Sequence, residues 1–141
     1  ALDATLTAPW TDLATRTLLD WEFDTAPGEP RTYTPLPFGV VDLAAEGVVN
    51  GEAKRGRAQD VVLTYATQSG APEAEATSMT FEVSYDDGAT WKKVAIDRDG
   101  DHATATLCHP RGAAYLSVRM TATDTAGAKV SHTTIRSYAL V

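Results

Sequence analysis

The stretch Met79-Thr80-Phe81-Glu82-Val83-Ser84-Tyr85-Asp86-Asp87-Gly88-Ala89-Thr90-Trp91 decides the fold. Met79, Phe81 and Val83 alternate with Thr80, Glu82 and Ser84, the period of two that gives a β-strand one apolar and one polar face. The strand runs into a turn. Asp86 can accept hydrogen bonds from nearby backbone N–H groups, and Gly88 can take the positive φ that residues with a Cβ resist. Trp91 is then expected to fold back and anchor the hairpin in the core. Ser84, Asp86, Gly88, Thr90 and Trp91 are therefore read as structural residues of a hairpin rather than as an active site.

Working outward, the downstream sequence continues as strands and turns. Trp91 to Ile96 leads to a turn at Asp97 to Asp101, then to a strand at Ala103 to Cys108 and a break at Pro110 to Gly112. Leu116, Val118, Met120 and Ala122 alternate with Ser117, Arg119, Thr121 and Thr123 in the cleanest period-two pattern of the chain. After the Asp124-Thr125-Ala126-Gly127 turn, Lys129 to Leu140 reads as a last strand, and the odd spacing of Val130 and Ile135 hints at a bulge.

Upstream, Val61, Leu63 and Tyr65 share a face of a strand at Asp60 to Thr67. Gly51 to Gln59, with Lys54, Arg55 and Arg57, reads as a solvated loop, and Ser69 to Ala76 as another. Thr17 to Asp24 alternates around Leu19, Trp21 and Phe23, and is ended by Pro27, Gly28 and Pro30. Pro35 and Pro37 frame an extended piece running into Phe38, Val40 and Val41, where no helix can cross. Leu2 to Thr7 has the pattern of a short edge strand, within a stretch, 1–16, that otherwise reads as an irregular N-terminal segment or linker.

Short strands, frequent turns and no helical stripe predict one all-β domain over residues 1–141, an antiparallel β-sandwich of immunoglobulin or fibronectin type III character. A propeller is the competitor, because S-x-D-x-G-x-x-W is the pattern called an Asp-box, which recurs between the strands of sialidase propeller blades. A propeller needs about four or more blades and repeats its motifs. Here the motif occurs once.

With 141 residues the chain is long enough to bury a core without staples, and 43% hydrophobic against 22% charged residues argues against disorder. No apolar run approaches the roughly 18 residues of a membrane span. The net charge of −7 opposes binding to the phosphate backbone of nucleic acid. Cys108 is the only cysteine, so neither an internal disulfide nor a cysteine-based zinc site can form, and it is read as a small buried side chain. The chain opens Ala1-Leu2-Asp3, without methionine or signal peptide, which suggests a mature product or a piece of a longer precursor.

Candidate chemistry is sparse. His102, His109 and His132 are the only histidines. The first two flank one strand at odd separation and so point to opposite faces, the third sits on another strand, and no G-x-S-x-G elbow accompanies them. Asp97, Asp99 and Asp101 alternate around Gly100, and such carboxylates could converge on calcium; a plain Asp-Gly turn is the better reading, because the EF-hand spacing is incomplete and no bidentate glutamate follows. Asp20, Glu22 and Asp24 share one strand face and read as a solvated edge. Trp10 and Tyr33 are candidates for stacking on a carbohydrate, Trp10 as the aromatic most expected to be exposed, whereas Trp21 and Trp91 are placed on inward faces.

With these segments in place, the chain resembles the C-terminal accessory region of secreted, actinobacterial-type subtilisin-like serine peptidases. The resemblance runs from about Leu19 to Leu140. It rests on Trp21-Glu22-Phe23, Pro35-Leu36-Pro37, the Glu82 to Trp91 hairpin, Pro110-Arg111-Gly112-Ala113, Ser117-Val118-Arg119 leading to Ala122 to Gly127, and Ile135, Arg136, Tyr138 and Leu140 at the end. It implies a secreted, non-catalytic β-sandwich module whose partners are the peptidase catalytic domain of the same precursor and that enzyme's protein or polysaccharide substrate; apart from calcium as the lesser reading of the Asp97 to Asp101 turn, no cofactor is expected. The H-G-T and G-T-S-M motifs of the subtilase catalytic residues are absent, so no peptidase activity is expected of this piece. An independent carbohydrate- or cell-surface-binding module is the alternative.

Overall fold

The computed structural model describes residues 2–5, 7–24, 39–71 and 73–141. Eleven strands and no helix are found among them. The first sheet contains β1 (Leu2–Thr5), β2 (Arg16–Glu22), β4 (Glu52–Ala53), β6 (Ala76–Ser84), β7 (Lys92–Val94), β10 (Tyr115–Asp124) and β11 (Lys129–Leu140), in the order β1-β2-β11-β10-β6-β7. The second contains β3 (Gly39–Ala45), β5 (Ala58–Thr67), β8 (Asp97–Asp99) and β9 (His102–Cys108), in the order β3-β5-β9-β8. Neighbours along both orders are antiparallel, and the two-residue β4 adds a parallel pairing to β11.

The sheets pack face to face through one cluster. Phe81 and Val83 on β6, with Leu116, Val118 and Met120 on β10, meet Val41 on β3, Val61 and Leu63 on β5, and Leu107 on β9. The alternation that predicts these strands also fills the core, since every second residue of β5, β9 and β10 is buried while most of the residues between them face outward. Each fully buried Phe, Leu or Met contributes about 1.5 to 3 kcal/mol relative to exposure. The expected strands at 60–67, 103–108 and 116–123 therefore stand where the sequence places them. Gly39 has no room for a side chain because it lies against the ring of Tyr65, and its carbonyl accepts the Trp21 indole N–H at 3.1 Å.

The bulge expected near Ile135 is present. Leu116 pairs with Tyr138 but Val118 pairs with Thr134, so Ile135, Arg136 and Ser137 on β11 oppose Ser117 alone. Arg136 takes a positive φ of 56° there, and its N–H donates to Ser117 Oγ at 2.9 Å.

Four local expectations change. Within 1–16, residues 2–5 form the expected short edge strand as β1, hydrogen-bonded along Arg16 to Leu19, but the end of the segment is tied to the sheet rather than irregular, since Ala14 and Thr15 donate to the carbonyls of Arg136 and Ile135. The 51–59 segment holds β4 and the start of β5, because Arg55 N–H donates to Val141 and Val141 N–H to Ala53. The 97–101 turn narrows to Gly100 and Asp101, with Asp97–Asp99 paired to β9. Cys108 is exposed, because β9 buries Ala103, Ala105 and Leu107 and the next residue must face outward. The Pro35-Leu36-Pro37 segment and Tyr33 lie outside the described residues.

Candidate functional site

The 84–91 hairpin is built as a self-contained hydrogen-bonded knot. Ser84 Oγ donates to Asp86 Oδ1 at 2.6 Å and accepts the Gly88 N–H at 2.9 Å. Asp86 Oδ1 also accepts the Thr90 N–H at 2.8 Å, and its Oδ2 accepts the Thr90 hydroxyl at 2.5 Å. These bonds favour the ionised carboxylate, so the pKa of Asp86 falls to about 2, with the Ser84 hydroxyl the largest cause. Asp87 and Gly88 carry the positive φ values, 56° and 87°. The turn is the one its sequence predicts.

Trp91 goes elsewhere than expected. It leaves the turn on the outward side of the first sheet, where the guanidinium of Arg119 lies 4.4 Å from its ring centroid, and it has no place in the intersheet core. The register explains this. Lys92 pairs with Val83, whose side chain faces the core, so Trp91 stands opposite Ser84 on the other face. Arg119 is held in turn by Glu82, its cross-strand neighbour, at 2.6 Å.

Beside Trp91 the outer face is hollowed into an open groove of about 510 Å³. The floor is set by cross-strand rows: Arg119 on β10 pairs with Thr133 on β11, which pairs with Leu18 on β2. Ile135 and Arg16 form the adjacent pair. Gly88 forms part of the rim, and a Cβ placed there would come within 3.0 Å of Ile135 Cδ1 and 3.4 Å of the indole. The rim is also pinned by the Arg136 guanidinium, which donates to both carboxylate oxygens of Asp87 at 3.0 and 2.9 Å and lies over the Tyr115 ring. That ion pair draws the Asp87 carboxyl below the usual carboxylate range.

A second polar cluster lies between the sheets at one end. His109 is buried, and its Nε2 lies 2.7 Å from Gln59 Oε1, which also accepts the Tyr138 hydroxyl at 2.6 Å. Gln59 Nε2 donates to the Glu46 carbonyl, which fixes its oxygen as the shared acceptor and so places the proton of His109 on Nε2. Nδ1 is left to accept from the Tyr85 hydroxyl at 3.1 Å. Every polar atom of this cluster has a use, and burial lowers the His109 pKa, so the ring is held neutral. It reads as a satisfied core network.

The other candidates are dispersed. His102 is exposed beside Thr64, and His132 lies against the Val41 carbonyl at 3.2 Å. Asp97 and Asp99 are exposed on β8, whereas Asp101 turns to accept the Ala76 N–H at 2.7 Å, so the three carboxylates do not converge. Among the described residues, no group of three His, Cys, Asp or Glu side chains is placed to hold a metal. Asp20 and Glu22 stand on the outer face of β2, beside a smaller hollow of about 300 Å³ with Lys129 and Ser131. Trp10 is 82% exposed, but its partner candidate Tyr33 is outside the described residues. No described helix is long and apolar enough to cross a membrane.

The sequence reading missed the groove because it is assembled from residues of β2, β10, β11 and the hairpin that are remote in the chain. The one local signal was the polar alternate face of β10, Ser117, Arg119, Thr121 and Thr123. Taken together, fold and site define an all-β protein of two antiparallel sheets with a mixed apolar and polar groove beside Trp91 on the outer face of the larger sheet. Comparison with known protein families, with curated proteins and with solved structures returns no match for this chain.

Proposed function

We propose that this chain is a non-catalytic accessory module of a secreted subtilisin-like serine peptidase, an immunoglobulin- or fibronectin type III-like sandwich that packs on, or extends from, the catalytic domain of the same precursor. The observation that carries this reading is the succession of motifs in one order along the chain: W-x-F, P-L-P, E-V-S-Y-D-D-G-x-T-W, P-R-G-A, S-V-R, A-T-D-T-A-G and I-R-x-Y-x-L. The described ones supply successive strands or turns of the sandwich. The dispersal of the three histidines supports a structural or binding role over a hydrolytic one.

The test is the encoded precursor. An open reading frame that carries the aspartate, histidine and serine motifs of a subtilase upstream of Ala1 is the expected result, and a frame without them overturns the reading. As a biochemical check, the 141-residue chain alone should neither cleave casein nor take up a serine-directed fluorophosphonate label. Labelling at any serine would make the chain a hydrolase in its own right.

A further inference from the structure

We propose that the outer-face groove beside Trp91 is a binding site for a neutral polysaccharide chain. This inference is independent of the peptidase reading, since it concerns only what the groove can hold.

Its lining has the two characters of a sugar ring. Leu18, Ile135 and the half-buried indole of Trp91 offer apolar surface to C–H faces, while the hydroxyls of Thr5, Thr15 and Thr133 stand among them to meet hydroxyl groups. A volume of about 510 Å³, open to solvent along the sheet, suits a segment of a longer chain better than an enclosed small molecule.

The charges argue for a neutral occupant. Each ionic side chain around the groove has an opposite partner: Arg16 with Asp3 at 2.7 Å, Arg119 with Glu82 at 2.6 Å, and Arg136 with Asp87 at 2.9 Å. An acidic or basic polymer would have to compete with these pairs. A neutral one can use the donors and acceptors that the pairs leave free, without breaking them.

The groove is also held in shape at a backbone cost. Among the described residues, three of the four non-glycine positions with positive φ are linked at one side of the groove: Asp87, which lines it, and Arg136, both at 56°, are partners in one ion pair, and Ala14, at 49°, donates its N–H to the Arg136 carbonyl. The β11 bulge lies at the same place. Strained backbone and bulges gather where a surface must be held ready for a ligand.

The experiment is affinity electrophoresis of the whole chain in native gels containing soluble β-glucan, arabinoxylan, galactomannan or starch, with polygalacturonate as the acidic control. Retardation by at least one neutral polymer is expected. Trp91→Ala and the groove-filling Thr133→Trp should each weaken it at least tenfold, and Trp10→Ala should leave it unchanged. Thermal melting of each variant verifies that it is folded, and Thr133→Trp keeps the test intact if loss of Trp91 loosens the hairpin. The proposal is overturned if no neutral polymer retards the chain, if polygalacturonate alone does so, or if Thr133→Trp binds as well as the parent. None of these outcomes bears on the precursor, so the accessory reading stands or falls separately.

Discussion

Two aspartate turns in this molecule use the same local device to different ends. In both, one carboxylate oxygen accepts the N–H four residues ahead: Asp86 Oδ1 takes Thr90, and Asp124 Oδ1 takes Ala128, with Ala126 besides. The difference lies in the other oxygen. Asp86 is exposed and gives its Oδ2 to the hydroxyl of Thr90 within the same turn, whereas Asp124 is buried and accepts the hydroxyl of Tyr65, from the opposite sheet, at 2.7 Å. One turn is closed on itself. The other fastens the two layers together, and burial of the phenol beside the carboxylate raises the Tyr65 pKa well above its usual value. A turn's sequence thus specifies its backbone, while its energetic weight depends on what the fold brings to its far side.

The comparison can be broken most directly at Asp124. Asp124→Ala strands the buried Tyr65 hydroxyl and two backbone N–H groups, and should lower stability by about 3 to 5 kcal/mol in urea unfolding. Tyr65→Phe should recover part of that loss in the double variant, because it removes one of the stranded donors. A double variant no more stable than Asp124→Ala would show that the intersheet bond carries little weight.

In the hairpin the larger effect belongs to the glycine. Gly88→Val forces a β-branched residue to a φ of 87° and brings its Cβ to 3.0 Å from Ile135, so a loss of about 2 kcal/mol is expected. Trp91→Ala should cost about 1 to 2 kcal/mol, below the roughly 3 to 5 of a buried aromatic, because the indole covers the outer face over Arg119 and leaves the intersheet core filled. Equal losses in Trp91→Ala and Phe81→Ala would restore the inward placement of the tryptophan.

The smallest effect is that of Asp86→Ala, and it is set by pH. The folded pKa of Asp86 is depressed to about 2 from an ordinary 3.8, so its stabilisation is complete above the ordinary value and is lost as the pH falls through the depressed one. The gap in Tm between parent and Asp86→Ala should be constant from pH 7 to 5 and close progressively below pH 4. A gap that persists unchanged at pH 2.5 would remove the carboxylate from the account of this turn.

What was legible in the sequence follows the same division. The strands of the core were visible because large apolar residues recur at every second position, as at Val61, Leu63 and Tyr65 or Leu116, Val118 and Met120, and the bulge showed itself where Val130 and Ile135 fell out of step. The hairpin was visible because Ser84, Asp86, Gly88 and Thr90 act on one another over at most four residues. Trp91 was misplaced because the face on which it emerges depends on the Lys92 to Val83 register, which no local pattern fixes. Cys108 was misplaced for a simpler reason: residue type was weighed above parity, although Ala103, Ala105 and Leu107 already assign the even positions to solvent. The groove, and the tie between Tyr65 and Asp124, needed strands brought together from more than 50 residues apart; Tyr65 and Asp124 are 59 positions apart in the chain.

The position of β11 has a consequence for biosynthesis. It lies between β2 and β10, so the last described strand to be made occupies the middle of the larger sheet. Until it emerges from the ribosome, β2 and β10 each present an unpaired edge, and β1 with β2 has nothing to join. The nascent chain must therefore wait, holding open edges of the kind that invite pairing with other chains, until β11 closes the layer.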